Sequence, residues 1–140
     1  MLDKHFNILR SAFIEAMYFA DGAEPEMLND EGQYLDGQFS KYAELTDRAN
    51  QNINDLLKKC MEQIGAKYMQ EITDRVTLTQ FGHSLYMEIS GDGVGFDDLD
   101  HDLGKALSVH LYNTLYNSVY LEIWENDAND LEFGYWENWN

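Results

Sequence analysis

The hydrophobic period of this chain changes near Ser84, and the change limits the folds open to it. Upstream, apolar residues recur at spacings of three and four, the mark of helices with one buried face. Downstream, apart from one helical run from Leu99 to Leu111, they recur at spacings of two, the mark of half-buried strands. Helices first and strands after predict an α+β fold rather than an alternating α/β one.

The upstream part divides at its glycines. Phe6, Leu9, Phe13 and Met17, with Ala16 and Ala20 beside them, predict a helix over 3–20 that starts at an Asp3 N-cap and stops at Asp21-Gly22. Residues 21–38 hold Gly22, Pro25, Gly32 and Gly37 among six acids and no base. They read as a loop with room for one helical turn over 26–30. Tyr42, Ala49, Ile53, Leu56, Cys60 and Ile64 predict the longest helix, over 39–64, ended by Gly65. Residues 66–80 read as one more helical turn and then an extended Val76-Thr77-Leu78.

From Ser84 onward, Leu85, Met87 and Ile89 alternate with Tyr86 and Glu88, predicting a strand. Asp92-Gly93 predicts a type I′ hairpin turn, which needs positive φ at both central residues, and Val94 to Phe96 the return strand. Leu99, Leu103, Ala106, Leu107, His110 and Leu111 predict a helix over 98–115, capped by Asp97 or Asp98. Val119, Leu121 and Ile123, then Leu131, Phe133 and Tyr135, predict two more strands joined by a turn at Asn126 to Asn129. The expected architecture is α+β: two N-terminal helices followed by a strand-strand-helix-strand-strand unit with a small antiparallel-rich sheet. It is expected as one acidic domain over 1–140, helical over 1–75 and sheet-containing over 76–140. A chain of 140 residues that is 44% hydrophobic supports one sizeable core.

Charge narrows the function classes. There are 26 Asp+Glu against 9 Lys+Arg, a net charge of -17. Nucleic-acid affinity comes from cations that replace counterions on phosphate, so direct nucleic-acid binding is not expected and a basic partner is. The excess is uneven. Residues 1–40 carry net -6, residues 41–80 net zero, and residues 81–140 carry 12 acids and one base. If Leu85, Leu121 and Phe133 face the core, the opposite sheet face carries Tyr86, Glu88, Tyr120, Glu122, Trp124, Glu132 and Trp136. That face is either an aromatic and acidic interface or a surface covered by the N-terminal helices. A single cysteine, Cys60, excludes an internal disulfide and a cysteine zinc site and fits a reducing cytosol. No signal peptide is read at the N-terminus, and no apolar run approaches the ~20 residues of a membrane span.

The stretch from Gly91 to Asp102 holds three alternating glycines and five Asp. It is not a phosphate cradle, since Asp97, Asp98, Asp100 and Asp102 would repel an anion at the helix start. It does not match the spacing of a calcium-binding EF-hand loop. His5, His83, His101 and His110 are scattered without zinc spacing, and no activated Ser or Cys nucleophile is visible. His110 reads as a core histidine and His83 as structural. No enzyme activity, metal or cofactor is expected.

Gly82-His83, Leu85-Tyr86-Met87, Gly91-Asp92-Gly93-Val94-Gly95-Phe96, Asp98 and Leu103-Gly104 resemble the shared stretch of a family of small acidic proteins of tailed bacteriophages with no assigned activity. The resemblance covers residues 8–20 and 81–135. That family often has Trp after the Phe, then Asp and Arg, where this chain has Asp97-Asp98-Leu99. The resemblance implies a phage origin, expression in the host bacterial cytoplasm and no catalytic residues.

Two functions are expected from these readings. One is a nucleic-acid mimic that inhibits a host DNA- or RNA-binding protein, in an anti-restriction, anti-CRISPR or other anti-defence role. Its basic partner surface would be met by Asp92, Asp97, Asp98, Asp100, Asp102, Glu122, Trp124, Glu125, Asp127, Asp130 and Glu132. Carboxylates two apart on a strand lie about 7 Å apart, near enough to phosphate spacing to stand in for it. The other is a non-catalytic accessory protein that acts through the aromatic sheet face or as a homodimer, with acid serving solubility alone.

Overall fold

The computed structural model describes residues 2–24, 28, 30–32, 38–91, 95–99, 101–111 and 119–137, without the side chains of residues 2, 3, 97, 98, 101 and 137. Helix α1 spans Leu2–Asp21. Asp3 therefore lies inside its first turn and not at its cap. Gly22–Ala23 (β1) pairs in parallel with Phe39–Ser40 (β2), a two-residue sheet that ties down the end of α1.

Helix α2 spans Asp47–Arg75, later and longer than the predicted 39–64. Thr46 sets its start, because the Thr46 Oγ1 accepts the Ala49 N–H at 3.1 Å. Gly65 breaks the helical path within it at φ 83 and ψ 161, so the predicted stop is a kink. His110 bridges that break. Its Nε2 lies 3.0 Å from the Gln63 carbonyl and 3.1 Å from that of Ile64, two acceptors left open where the helix breaks. The ring stacks on Tyr68 at 4.6 Å. His110 is a solvent-edge splint and not a core residue.

The strand expected from Ser84 is helical. Helix α3 spans Leu78–Ser90, with Thr77 capping its start and Gly91 its end in a left-handed conformation. Phe81, Leu85 and Tyr86 are buried, a helical spacing that the short Leu85-Met87-Ile89 alternation conceals. Gly82 decides the packing. A Cβ there would stand 2.5 Å from the Ala12 Cβ and 2.9 Å from the Leu9 carbonyl, so α3 lies directly on α1. The Phe13 ring meets Tyr86 edge-on at 5.2 Å and Phe133 at 6.3 Å, joining the helices to the hairpin beyond. Each such fully buried ring contributes about 1.5–3 kcal/mol.

The Asp92-Gly93 turn lies outside the described residues, and Phe96 is not in a strand. Gly95–Asp98 forms one 3₁₀ turn, and α4 spans His101–Leu111, starting later than the predicted 98; residues 112–115 of the predicted helix lie outside the described residues. Asp97 and Asp98 belong to the 3₁₀ turn and do not cap α4. The last two strands match their predicted places. Val119–Glu125 (β3) and Leu131–Glu137 (β4) form an antiparallel hairpin with Leu121 opposite Tyr135 and Ile123 opposite Phe133. The molecule is therefore α+β, and its described residues form two two-stranded sheets in place of the expected single antiparallel-rich sheet. Helices α1 to α4 and the inner face of the hairpin share one hydrophobic core.

Candidate functional site

Asn126 shapes the end of the hairpin. Its backbone N–H donates to the Asp130 carbonyl at 2.8 Å, and its Oδ1 accepts the N–H groups of Ala128 and Asp130 at 2.9 and 3.0 Å. The hairpin is then pinned to α2 and to the segment that leads into it. The Leu131 N–H donates to the Glu44 carbonyl at 2.7 Å, its carbonyl accepts the Thr46 N–H at 3.1 Å, and Asn52 Nδ2 donates to the Phe133 carbonyl at 2.8 Å. With Val119, Leu131 and Phe133 buried inward, strand alternation turns Tyr120, Glu122, Trp124, Glu132, Gly134 and Trp136 outward.

Three large aromatics stand exposed on that outer face: Tyr120 at 60%, Trp124 at 44% and Trp136 at 63%. Tyr120 and Trp136 are register partners, and Trp124 faces Glu132. The Trp136 Nε1–H donates to Glu122 Oε2 at 3.2 Å, which orients the indole beside an exposed carboxylate. The helices do not cover this hairpin face, so the alternative left open in the sequence resolves to an exposed surface for Tyr120, Glu122, Trp124 and Trp136. Tyr86 and Glu88, expected on the same face, lie instead on α3, and Tyr86 is buried. Phe19, Tyr42 and Val109 are also exposed, but they lie on three other elements or turns.

The acids divide by role. Glu132 accepts the Thr46 hydroxyl at 2.5 Å and Asn126 Nδ2 at 3.2 Å, and these two bonds hold its carboxyl below the usual carboxylate range, with Arg48 adding a smaller pull. Glu125 Oε1 accepts the Ser40 N–H at 2.5 Å and so joins β3 to β2. Both carboxylates hold the hairpin in place. Glu122 and Asp127 are exposed, Asp130 is half-buried, and Asp102 is exposed in the first turn of α4. Asp92 and Asp100, with the side chains of Asp97 and Asp98, lie outside the described residues.

The rest of the Gly91–Asp102 stretch acts as a clasp. The Phe96 N–H donates to Glu88 Oε1 at 2.8 Å, and the Phe96 ring stacks on Phe81 at 6.0 Å. Gly104 lets α4 close onto this turn, since a Cβ there would stand 2.1 Å from the Phe96 carbonyl oxygen. Gly82, Phe96 and Gly104, which carry the phage resemblance, are packing devices here. His83 is likewise structural, its Nε2 3.0 Å from Glu15 Oε1 on α1.

Among the described residues, no three His, Cys, Asp or Glu side chains gather where they could hold a metal ion. An apolar cleft of about 390 Å³ opens at the Gly65 kink, lined by His5, Met61, Ala66 and Met69. No helix of the described residues is long and apolar enough to cross a membrane. Tyr120, Trp136 and Gly134 join the candidate site though the predicted partner residues omit them. Their period-two placement with Trp124 was the signal. Compared with known proteins, the chain matches no family model, no curated protein and no solved structure.

Proposed function

We propose that this is an acidic interaction protein that binds the cationic surface of a nucleic-acid-binding protein through the outer face of the β3–β4 hairpin. The observation that carries the reading is the exposure of Tyr120, Trp124 and Trp136 around Glu122 on one face. Aromatic rings attract Arg and Lys over their faces, and carboxylates satisfy the same groups by ion pairing. A surface evolved to stack on bases and pair with phosphates offers that combination of cations. The mimicry is then of bases and phosphates together: Glu125 and Glu132 are engaged within the fold and supply no free row of charge. The 12 acids against one base in residues 81–140 add a field that speeds encounter with a basic partner and makes it salt-sensitive. In the phage setting that the sequence resemblance implies, the target is a host protein of the bacterial cytoplasm and binding inhibits it.

The test is retention from a bacterial lysate on immobilised wild-type protein and on the Tyr120→Ser/Trp124→Ser/Trp136→Ser variant. The expected result is a basic nucleic-acid-binding protein retained by the wild type alone and displaced by added nucleic acid. Equal retention by both proteins, or failure of nucleic acid to compete, rejects the reading.

A further inference from the structure

Gly134 is the one outward position of the hairpin's described residues without a side chain. Opposite it stands Glu122, and two residues along β4, about 7 Å to either side, stand Trp136 and Glu132. A Cβ built on Gly134 meets only the Trp124 ring and the Glu122 carbonyl oxygen, both at 3.9 Å, which is ordinary contact. Its φ is not in the left-handed region, so the backbone does not demand glycine. The glycine leaves a notch in the outward row, bordered by the Trp124 ring and by Glu122 across the hairpin, with Trp136 next along β4. Trp136 holds the Glu122 carboxylate, so that charge is oriented before any partner arrives, while Thr46 and Asn126 take up both oxygens of Glu132.

We infer that this notch seats a single arginine side chain of the partner, its guanidinium stacked on the exposed indoles of Trp124 and Trp136 and paired with Glu122. The inference rests on the proposed binding face and names the group that anchors to it. Arginine fits better than lysine because a planar guanidinium stacks on indole and gives paired hydrogen bonds to carboxylate. The Glu122 charge matches a cation, and the net charge of -17 opposes a second copy of this chain.

The experiment titrates a Ser-Gly-Arg-Gly-Ser peptide into ¹⁵N-labelled protein, with citrulline and lysine peptides alongside. Saturable shifts are expected at the Trp124 and Trp136 indole N–H groups and the Gly134 amide, absent with citrulline and weaker with lysine. Gly134→Val fills the notch with a strand-favouring residue. It should weaken the arginine peptide at least tenfold with no fall in melting temperature. Absence of shifts in the wild type overturns the inference. Equal affinity in Gly134→Val overturns the notch but leaves the face reading standing if Trp124→Ala still weakens the peptide. Equal affinity in both variants overturns the two together.

Discussion

Alanine at Gly104 sets two physical rules against each other. In a helix interior alanine is better than glycine by about 1 kcal/mol, so propensity alone favours Gly104→Ala. The geometry opposes it. The added Cβ would stand 2.1 Å from the Phe96 carbonyl oxygen and 3.1 Å from its carbon, and a C···O contact ordinarily needs about 3.3 Å. Helix α4 must therefore withdraw by about 1 Å, loosening Leu103 and Leu107, both fully buried. Overpacking of this kind costs about 1–3 kcal/mol, and a backbone obstacle cannot rotate away, so the cost lies at the upper end. The net expectation is a loss of about 2 kcal/mol, or about 8 °C in melting temperature for a chain of this size. Urea unfolding followed by circular dichroism at the helical band measures it. A midpoint unchanged or raised would mean that α4 does not close on the 3₁₀ turn, and the clasp would be wrong.

Three further outcomes test the frame that carries the hairpin. Thr46→Val removes the α2 cap and should cost about 1 kcal/mol at neutral pH. It also frees Glu132: a carboxyl held low in the folded state adds stability above its ordinary value of 4.5 that is lost as pH falls through the folded value, so the acid-side decline in melting temperature should become shallower. Gly65→Ala puts a side chain where φ is 83 and should cost about 1–3 kcal/mol by chemical unfolding, although no atom obstructs the Cβ. Tyr18 is raised above 10.0 first by burial and then by Glu44, so stability present below that pH is lost as pH rises; Tyr18→Phe should flatten the alkaline decline in a thermal scan.

Helix α1 and the β3–β4 hairpin were legible in the sequence because each has a long run of one period and a clear stop, Gly22 for the helix and Asn126 for the turn. Helix α3 was not, because Leu85, Met87 and Ile89 alternate over a window too short to separate period two from the helical pair Phe81 and Leu85. What fixes that segment as a helix is the tertiary contact of Gly82 with α1, together with the local caps at Thr77 and the left-handed Gly91. The candidate site was half legible. Strand alternation placed Trp124, Glu122 and the rings beside them on one face, but charge alone could not separate exposed Glu122 from Glu125 and Glu132. Those two are taken up by Ser40 and Thr46, each about 85 residues away in sequence, contacts that no local pattern records.

The central claim is that the aromatic hairpin face, and not acidity in general, makes the contact. Its most direct test is the affinity of the recovered basic partner for two variants of equal folded stability. One carries Trp124→Ser and Trp136→Ser; the other carries Asp55→Lys, Glu62→Lys and Glu71→Lys on α2, away from the hairpin face. Central aromatic anchors cost about 2 kcal/mol or more each when removed, so the first variant should bind at least 30-fold more weakly. The second should change affinity by only a few-fold, through the long-range field. A first variant that binds like the wild type, beside a second that does not bind, would contradict the account.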